Sequence, residues 1–159
     1  MLNLIAERLS GISQNGYVNA AMEWGIENEP HARNAYEMET GNLVTEIGFV
    51  ELNEYVGCSP DGLIGDDGMV EIKCPNTSTH IEYILDGRVP PEYVLQIQTQ
   101  LWVANRHWND FVSFDPRVPC RSLFIVRAER DESKIAEIQD AVDVFVKEMN
   151  ELERQILGE

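Results

Sequence analysis

The stretch CSPDGLIGDDGMVEIKCP, residues 58–75, contains two strand-like segments on either side of a glycine- and aspartate-rich turn. Asp61 precedes the first segment, and Glu71 and Lys73 lie in the second. Side chains two residues apart in a strand leave the same face, so Glu71 and Lys73 point together while Ile72 points into the core. The pattern predicts an antiparallel hairpin in which Asp61 meets Glu71 and Lys73, provided that the turn closes the register.

Two interpretations of this hairpin are open from the residues alone. Two carboxylates and the carbonyl of Ile72 are hard oxygen ligands of the kind that Mg²⁺ and Mn²⁺ prefer. Lys73 beside them can orient or deprotonate a water or neutralise charge on a phosphoryl group, and these parts together describe metal-assisted hydrolysis of a phosphodiester. The alternative is a surface hairpin, because Pro-Asp-Gly is a common turn signal and Glu-x-Lys is common on exposed strands. Asp66 and Asp67 are assigned to the turn alone.

The rest of the sequence predicts helices and further strands around the hairpin. Apolar spacing and glycine stop signals predict helices over residues 2–9 and 20–40, the second with a kink or a restart because of Pro30. Three strands, LVTEIGFVEL, YVGCSPDGLI and MVEIKC, are expected to form a small antiparallel meander. Helices in TSTHIEYILDG and PPEYVLQIQTQLWVANR, strands in WNDFVSFD and RSLFIVRAE, and an amphipathic helix from about Asp131 follow. This order predicts an α/β or α+β sheet flanked by helices.

Length, composition and charge limit the classes of function. With 159 residues, of which 43% are hydrophobic, residues 1–159 are expected to form one domain. No apolar run approaches the roughly 18 residues of a membrane span, so no membrane partner and a cytoplasmic location are expected. A net charge of −16 argues against binding DNA by bulk electrostatics. Residues 88–130, however, hold six arginines against four acidic residues, and Arg88 and Arg106 in this segment are candidate DNA contacts.

Cysteines and histidines are expected to have structural roles. The odd number and wide spacing of the cysteines argue against a disulfide framework or a structural zinc site, which leaves buried thiols as the simplest interpretation. No histidine has a second ligand three or four residues away, so polar surface or cap positions are expected. The residues are Cys58, Cys74, Cys120, His31, His80 and His107.

One core block of three short segments and three further blocks, in a fixed order, carry a resemblance to a known family. SPDG is followed by EIKCP, with nine residues between Asp61 and Glu71, and then by YVLQIQTQLW. AMEWGIENEPHAR precedes these blocks, and VSFDP and FIVRAERDESKI follow them. From about Ala20 to the C-terminus the chain thereby resembles the phage lambda exonuclease family, the viral-type alkaline exonucleases of the PD-(D/E)xK nuclease superfamily. The resemblance implies a central mixed β-sheet flanked by helices.

The resemblance also implies roles for individual residues. Asp61 and Glu71 match the metal-binding carboxylates, the Ile72 carbonyl matches a backbone ligand, and Lys73 matches the catalytic lysine. Glu29 matches an acidic residue on the preceding helix that adds to the acidic cluster.

Two residues of the following helix belong to the same implied site. Gln96 matches a glutamine that helps to position the nucleophilic water and the lysine, although spacing alone predicts a surface residue there. Tyr93 matches a motif tyrosine near the site and is a candidate DNA contact.

The implied activity is that of a Mg²⁺- or Mn²⁺-dependent exonuclease that degrades linear double-stranded DNA in the 5′-to-3′ direction. The family context implies phage or prophage recombination in the cytoplasm of a bacterial host, a ring-shaped homotrimer, and a single-strand annealing protein as partner. Nothing before Ala20 matches the family block with an arginine and a Thr-Ala-Ser-like segment, so the chain is expected to be N-terminally shortened relative to the family. Two alternatives stay open: another PD-(D/E)xK endonuclease, and a catalytically inactive DNA-binding or assembly remnant.

Overall fold

The structure is a computed structural model that describes residues 1–12 and 19–158. The helices and strands of the described residues are α1 Leu2–Ser10, α2 Ala20–Thr40, β1 Val44–Thr45, β2 Val50–Asn53, β3 Val56–Cys58, β4 Gly62–Ile64, β5 Gly68–Lys73, α3 Thr77–Asp86, α4 Pro91–Val103, β6 Trp108–Phe114, β7 Leu123–Glu129 and α5 Glu132–Leu157. Among the helices in this part of the chain, none is long and apolar enough to cross a membrane. Most of the segment between the first two predicted helices, residues 13–18, lies outside the described residues.

Five strands form one mixed sheet in the order β1-β4-β5-β6-β7. β5 and β6 run parallel, and the other neighbouring pairs in this sheet are antiparallel. A parallel pair needs a crossover connection, which α3 and α4 supply between β5 and β6. The mixed sheet flanked by helices confirms the fold class expected from the sequence.

Helices cover both faces of this sheet. One apolar cluster joins β4, β5 and β6 to α2: Ala32, Tyr36, Ile64, Val70, Ile72, Val112 and Phe114. The other joins β5, β6 and β7 to α3 and α4: Met69, Tyr83, Ile97, Leu101, Phe111 and Phe124. Successive side chains of β5 alternate between the two clusters, as side chains of a strand must. Every residue of β5 except Lys73 is buried, so the charged Glu71 occurs inside a core strand.

The predicted extent of the first two strands is wrong. The segment LVTEIGFVEL contains two strands, β1 and β2, with residues outside any strand between them. The segment YVGCSPDGLI contains β3 and β4. β1 pairs with β4, whereas β2 and β3 form a separate two-stranded sheet, so the expected simple meander is not formed. Pro60 lies between β3 and β4, where it cannot donate to a strand ladder, and this accounts for the break in the second segment.

The bounds of the second predicted helix are confirmed, but the helix does not restart at Pro30. The Asn19 side chain caps the start of α2, and Gly41 ends it in the left-handed region. α2 continues through Pro30, so of the two expected alternatives the restart is wrong, and the kink stays a prediction. Ala32 and Tyr36, which follow the proline, are both fully buried against the sheet. Their burial outweighs the one backbone hydrogen bond that a proline removes.

The later helices begin near the residues at which the sequence predicted them. The Asn76 side chain accepts from a backbone N–H of α3, and Pro91 is the first residue of α4. The Asp131 side chain caps α5, which begins where the sequence predicted a helix. α5 is amphipathic along its length and buries Ile135 and Met149.

The cysteines are free thiols that differ in exposure. Cys58 and Cys74 are half-buried, whereas Cys120 is exposed in the turn after β6. The expectation of a buried thiol is therefore wrong for Cys120, because this turn lies outside both apolar clusters.

The expectation of a surface or cap position is wrong for His80, which is fully buried in α3. Its Nδ1 lies 2.7 Å from the Ser113 hydroxyl, and its Nε2 lies 2.9 Å from the carbonyl of Arg121. A carbonyl only accepts, so Nε2 carries the proton and Nδ1 accepts from Ser113. His80 thereby ties α3 to β6 and to the segment before β7. His31 and His107 are exposed, as expected.

Replacing His80 tests this link between elements. His80→Ala is expected to lower the free energy of unfolding by about 2–4 kcal/mol, because it leaves a cavity, an unpaired hydroxyl and an unpaired carbonyl. The matched control is His107→Ala, whose side chain is 71% exposed and whose loss is expected to change stability by less than about 0.5 kcal/mol. Urea denaturation followed by circular dichroism measures both. Equal effects of the two substitutions would contradict the role of His80.

Candidate active site

The turn between β4 and β5 closes the register that the sequence predicted. Gly62 of β4 pairs with Val70 of β5, so Asp61 comes beside Glu71. Gly65 in the turn has a φ of +53°, a left-handed conformation that glycine adopts without steric cost. The two aspartates of the turn are exposed, in agreement with their assignment to the turn alone.

Glu71 is the buried centre of the site, with 1% of its surface exposed. Its Oε1 contacts the Lys73 ammonium and accepts a hydrogen bond of 2.6 Å from Gln96 Nε2. Its Oε2 accepts a hydrogen bond of 2.6 Å from Gln100 Nε2. Burying a carboxylate is costly unless it is paired and hydrogen-bonded, and β5 and α4 together supply these partners.

Asp61 brings a second negative charge next to the first. Its Oδ2 accepts a hydrogen bond of 2.6 Å from the backbone N–H of Ile72. Burial raises the pKa of Asp61 to about 7, and the charge of Glu71 adds to the rise, while the Ile72 N–H and Lys73 oppose it. Two neighbouring carboxylates with one lysine between them concentrate negative charge, which a bound cation would relieve.

Lys73 lies between the carboxylates and an aromatic pair. Burial lowers the pKa of Lys73, but the charge and hydrogen bond of Glu71 and the charge of Asp61 outweigh it and raise this pKa. Its Nζ lies 5.1 Å from the centroid of the Tyr93 ring, and Tyr93 stacks on Phe111 with ring centroids 5.3 Å apart. The aromatic face is a favourable neighbour for the ammonium.

Glu29 reaches the site from α2, on the opposite side of the pocket. Its Oε1 accepts a hydrogen bond of 2.7 Å from Arg33, which also pairs with Glu46 at 2.6 Å. Glu29 and Asp61 line the same pocket, and the charge of Glu29 makes a small contribution to the raised pKa of Asp61.

The predicted residues meet at a pocket of about 560 Å³ between α2, the end of β5 and the start of α4. The predicted site residues on its wall are Glu29, Asp61, Ile72, Lys73 and Tyr93. Glu71 and Gln96 lie behind this wall and connect to it through Lys73. The structure therefore brings together every residue that the sequence assigned to the metal and catalytic site.

The two arginines predicted as DNA contacts lie outside this pocket. Arg106 donates to the carbonyl of Gly65 at 2.7 Å, at the opposite end of β5 from Lys73. Arg88 is exposed in the loop between α3 and α4. Spacing along the chain did not show at which end of the sheet these arginines would lie. A DNA contact by either one stays a prediction.

The donor atoms of the site suit a hard divalent cation. Within residues 1–12 and 19–158, no group of three or more His, Cys, Asp or Glu side chains is arranged to hold a metal ion. The available oxygen donors are the carboxylates of Asp61 and Glu71, the predicted Ile72 carbonyl, and Glu29 on the pocket wall. Such oxygen donors match the preference of Mg²⁺ and Mn²⁺ and not that of softer metals. The negative charges of Glu71 and Glu29 around Asp61 also favour the binding of a cation.

Gln100 and Asn109 are site neighbours that sequence reasoning missed. Gln96 and Gln100 share a helix face at a spacing of four residues, and this spacing was the signal in the sequence that the two side chains act together. The sequence did not show that this face packs on Glu71. Gln100 is 2% exposed and Asn109 is fully buried, and Asn109 Nδ2 donates to Gln100 Oε1 at 3.2 Å.

Comparison with known proteins identifies the family of this chain. The family model of the YqaJ-like viral recombinase domain matches residues 2–107, a range that includes every predicted site residue. The chain belongs to the YqaJ-like viral recombinase family. This YqaJ-like domain is also 32% identical over 59 residues to the protein ExoD of Escherichia coli (strain K12), a match that covers 37% of the chain and 68% of ExoD.

Solved structures share the fold of the YqaJ-like domain. LHK-Exo, an alkaline exonuclease from Laribacter hongkongensis, was crystallised in complex with dAMP and matches with a TM-score of 0.91 and 47% sequence identity, over 98% of this chain and 80% of that chain. A phage related exonuclease from Haemophilus somnus 129PT matches with a TM-score of 0.76 and 18% identity, over 98% and 81% of the two chains. These matches confirm the lambda-exonuclease-type resemblance and the fold class.

A buried aspartate anchors the segment that follows the site lysine. Asp115 is fully buried and accepts hydrogen bonds from Arg117 Nε at 2.8 Å and Thr77 Oγ1 at 2.6 Å. Arg117 also donates to the carbonyl of Pro75 at 3.2 Å, two residues after Lys73. Burial acts to raise the pKa of Asp115, but the hydrogen bonds from Arg117 and Thr77 outweigh it and lower this pKa to about 2.

The lowered pKa of Asp115 predicts a pH dependence of stability. An unfolded aspartate has a pKa of about 3.9, so the stabilisation is complete above this pH and is lost as the pH falls towards about 2. The contribution is expected to be on the order of 2 kcal/mol, and Asp115→Asn is expected to abolish it. Urea denaturation of both proteins between pH 7 and pH 2.5 gives the difference in unfolding free energy. A difference that stays constant across this range would contradict the prediction, and Asp67→Asn, at an exposed turn position, is the control.

Proposed function

We propose that this protein is a divalent-metal-dependent exonuclease that hydrolyses linear double-stranded DNA in the 5′-to-3′ direction during phage-type recombination. Membership of the YqaJ-like viral recombinase family and 47% identity to the alkaline exonuclease LHK-Exo support nuclease activity. The observation that carries the proposal is the meeting of Asp61, Glu71 and Lys73 at one end of β5, beside an open pocket.

Each residue of the site has a proposed part in the reaction. Asp61 and Glu71, with the Ile72 carbonyl and Glu29, would hold Mg²⁺ or Mn²⁺. A bound cation of this kind supplies Lewis-acid stabilisation of charge on the phosphate.

Lys73 and Gln96 act as protein groups beside that cation. The Lys73 ammonium has three donors, and one contact to Glu71 leaves others for a water or a phosphate oxygen in the pocket. Gln96 holds the Glu71 oxygen that Lys73 contacts and thereby fixes where the ammonium lies. Tyr93 forms the pocket wall on the other side of the ammonium.

Electrostatics gives a second reason for a bound cation. The chain carries a net charge of −16, and the pocket wall includes Glu29 and Asp61. A phosphodiester would be repelled by these carboxylates alone, whereas a divalent cation offsets their negative charge. We therefore propose that DNA enters this pocket only together with the cation.

The proposed assembly is a homotrimer that works with a single-strand annealing protein. Support comes from the family resemblance and from exposed apolar side chains on α5, which include Val144 and Ile156 at 57% and 59% exposure. Analytical ultracentrifugation of the full chain is expected to give three times the monomer mass of 18.1 kDa, and a monomer would contradict this assembly.

Digestion of 5′-labelled linear duplex DNA tests the proposed activity. The wild type is expected to release nucleotides in Mg²⁺ and to stop when EDTA removes the metal. Lys73→Ala and Glu71→Ala are expected to reduce the rate by about 100-fold or more, since each removes charge or orientation at the reacting phosphate. Lys147→Ala, an exposed lysine on α5, is the matched control and is expected to retain full activity. Equal rates for the wild type and the two site variants would show that the site is wrong.

A covalently closed plasmid separates the alternatives. An end-dependent exonuclease leaves the closed circle intact, whereas a PD-(D/E)xK endonuclease nicks it. Binding of metal without digestion of either substrate would indicate a catalytically inactive member of the family.

A further inference from the structure

A buried chain of side-chain amides leads from β6 through α4 to the carboxylate of Glu71. Asn109 Nδ2 donates to Gln100 Oε1 at 3.2 Å, and Gln100 Nε2 donates to Glu71 Oε2 at 2.6 Å. Asn109 is fully buried and Gln100 is 2% exposed. Both lie beside the apolar cluster that α3 and α4 form on this face of the sheet, where polar groups are costly unless they are hydrogen-bonded.

The orientation of the two amides in this hydrogen-bonded row follows from the carboxylate of Glu71 at its end. An ionised carboxylate only accepts, so the amide nitrogen of Gln100 must face Glu71 and its oxygen must face Asn109. That oxygen in turn requires the amide nitrogen of Asn109. As a result Asn109 Oδ1 is left buried without a hydrogen-bond partner among the described residues. An unpaired buried acceptor costs stability, so a purely structural network has no reason to retain it.

The hydrogen bonds on Glu71 also limit how it can bind anything else. A carboxylate has about four acceptor positions, two on each oxygen. Lys73 and Gln96 take the two positions on Oε1, and Gln100 takes one on Oε2. One position on Oε2 is left, and the Gln100 bond fixes its direction.

We propose that Gln100, oriented by Asn109, is a positioning residue that aims Oε2 of Glu71 at the divalent cation and thereby sets the metal affinity of the site. This inference rests on the proposed metal-dependent function. Gln100 lies behind the pocket wall and acts through Glu71 alone. Partners of this kind that orient a metal ligand change metal affinity by about 10- to 100-fold when removed.

The chain offers a matched control on the same helix. Gln98 is also a buried glutamine of α4, with 5% exposure, and its amide makes two hydrogen bonds, to the Glu129 carbonyl and from the Asp131 N–H. It points to the start of α5 and away from Glu71, because residues two apart in a helix lie on different faces. Gln98→Met and Gln100→Met therefore remove equivalent buried amides, but only the second touches a proposed metal ligand.

Metal binding and DNA digestion measured on the full chain distinguish the two glutamines. In Gln100→Met the dissociation constant for Mn²⁺ by titration calorimetry, and the Mg²⁺ concentration for half-maximal digestion, are expected to rise about 10-fold or more. The KM for DNA at saturating metal is expected to stay within about twofold. Gln98→Met is expected to lower the melting temperature while leaving both metal constants within about twofold. Asn109→Ala is expected to shift the metal constants in the same direction by a smaller factor, and it replaces Gln100→Met if that variant does not fold.

The outcomes separate this inference from the proposed function. If Gln100→Met and Asn109→Ala bind Mn²⁺ as tightly as the wild type, or if Gln98→Met weakens metal binding equally, Gln100 has only a structural role. If the wild type itself binds no divalent metal and digests no DNA, the proposed function fails, and the inference fails with it.

Discussion

The desolvation of one carboxylate, Glu71, is the constraint on which the rest of this structure depends. β5 is a core strand, and a charge in the middle of it is tolerated only if both of its carboxylate oxygens are hydrogen-bonded. Two of the partners come from α4, which must therefore cross this face of the sheet with Gln96 and Gln100 turned towards β5. The crossover that makes β5 and β6 parallel is what carries α4 to that position.

The same constraint locates the candidate site at one end of the sheet. Lys73, the last residue of β5, is the only one in this strand that is not buried, and it lies on the pocket wall. The antiparallel register of the hairpin places Asp61 at this point, and α2 places Glu29 on the same pocket wall. A rigid sheet and two packed helices thus hold four charged groups near one another, which loops alone would not do with the same precision.

Local patterns were reliable wherever a local interaction decides the structure. The hairpin register follows from alternation and a glycine turn, and the helix starts at Asn76 and Asp131 follow from side chains that cap their own backbone. Patterns failed where distant contacts compete with local preference. α2 continues through Pro30 because Tyr36 is buried beyond it, and His80 is buried because Ser113 and a carbonyl from another segment pair both of its nitrogens.

The sequence by itself determined the mixed sheet between helices, the hairpin, and the meeting of Asp61, Glu71 and Lys73 at one end of it, because spacing along two paired strands dictates which side chains meet. Resemblance to a family added Glu29 and Gln96, which spacing alone would have left on the surface. Only the tertiary structure decided that Gln100 and Asn109 support Glu71 and that Arg106 lies at the far end of β5. These facts depend on which helix face packs against which strand, and that choice is made by burial of the whole core.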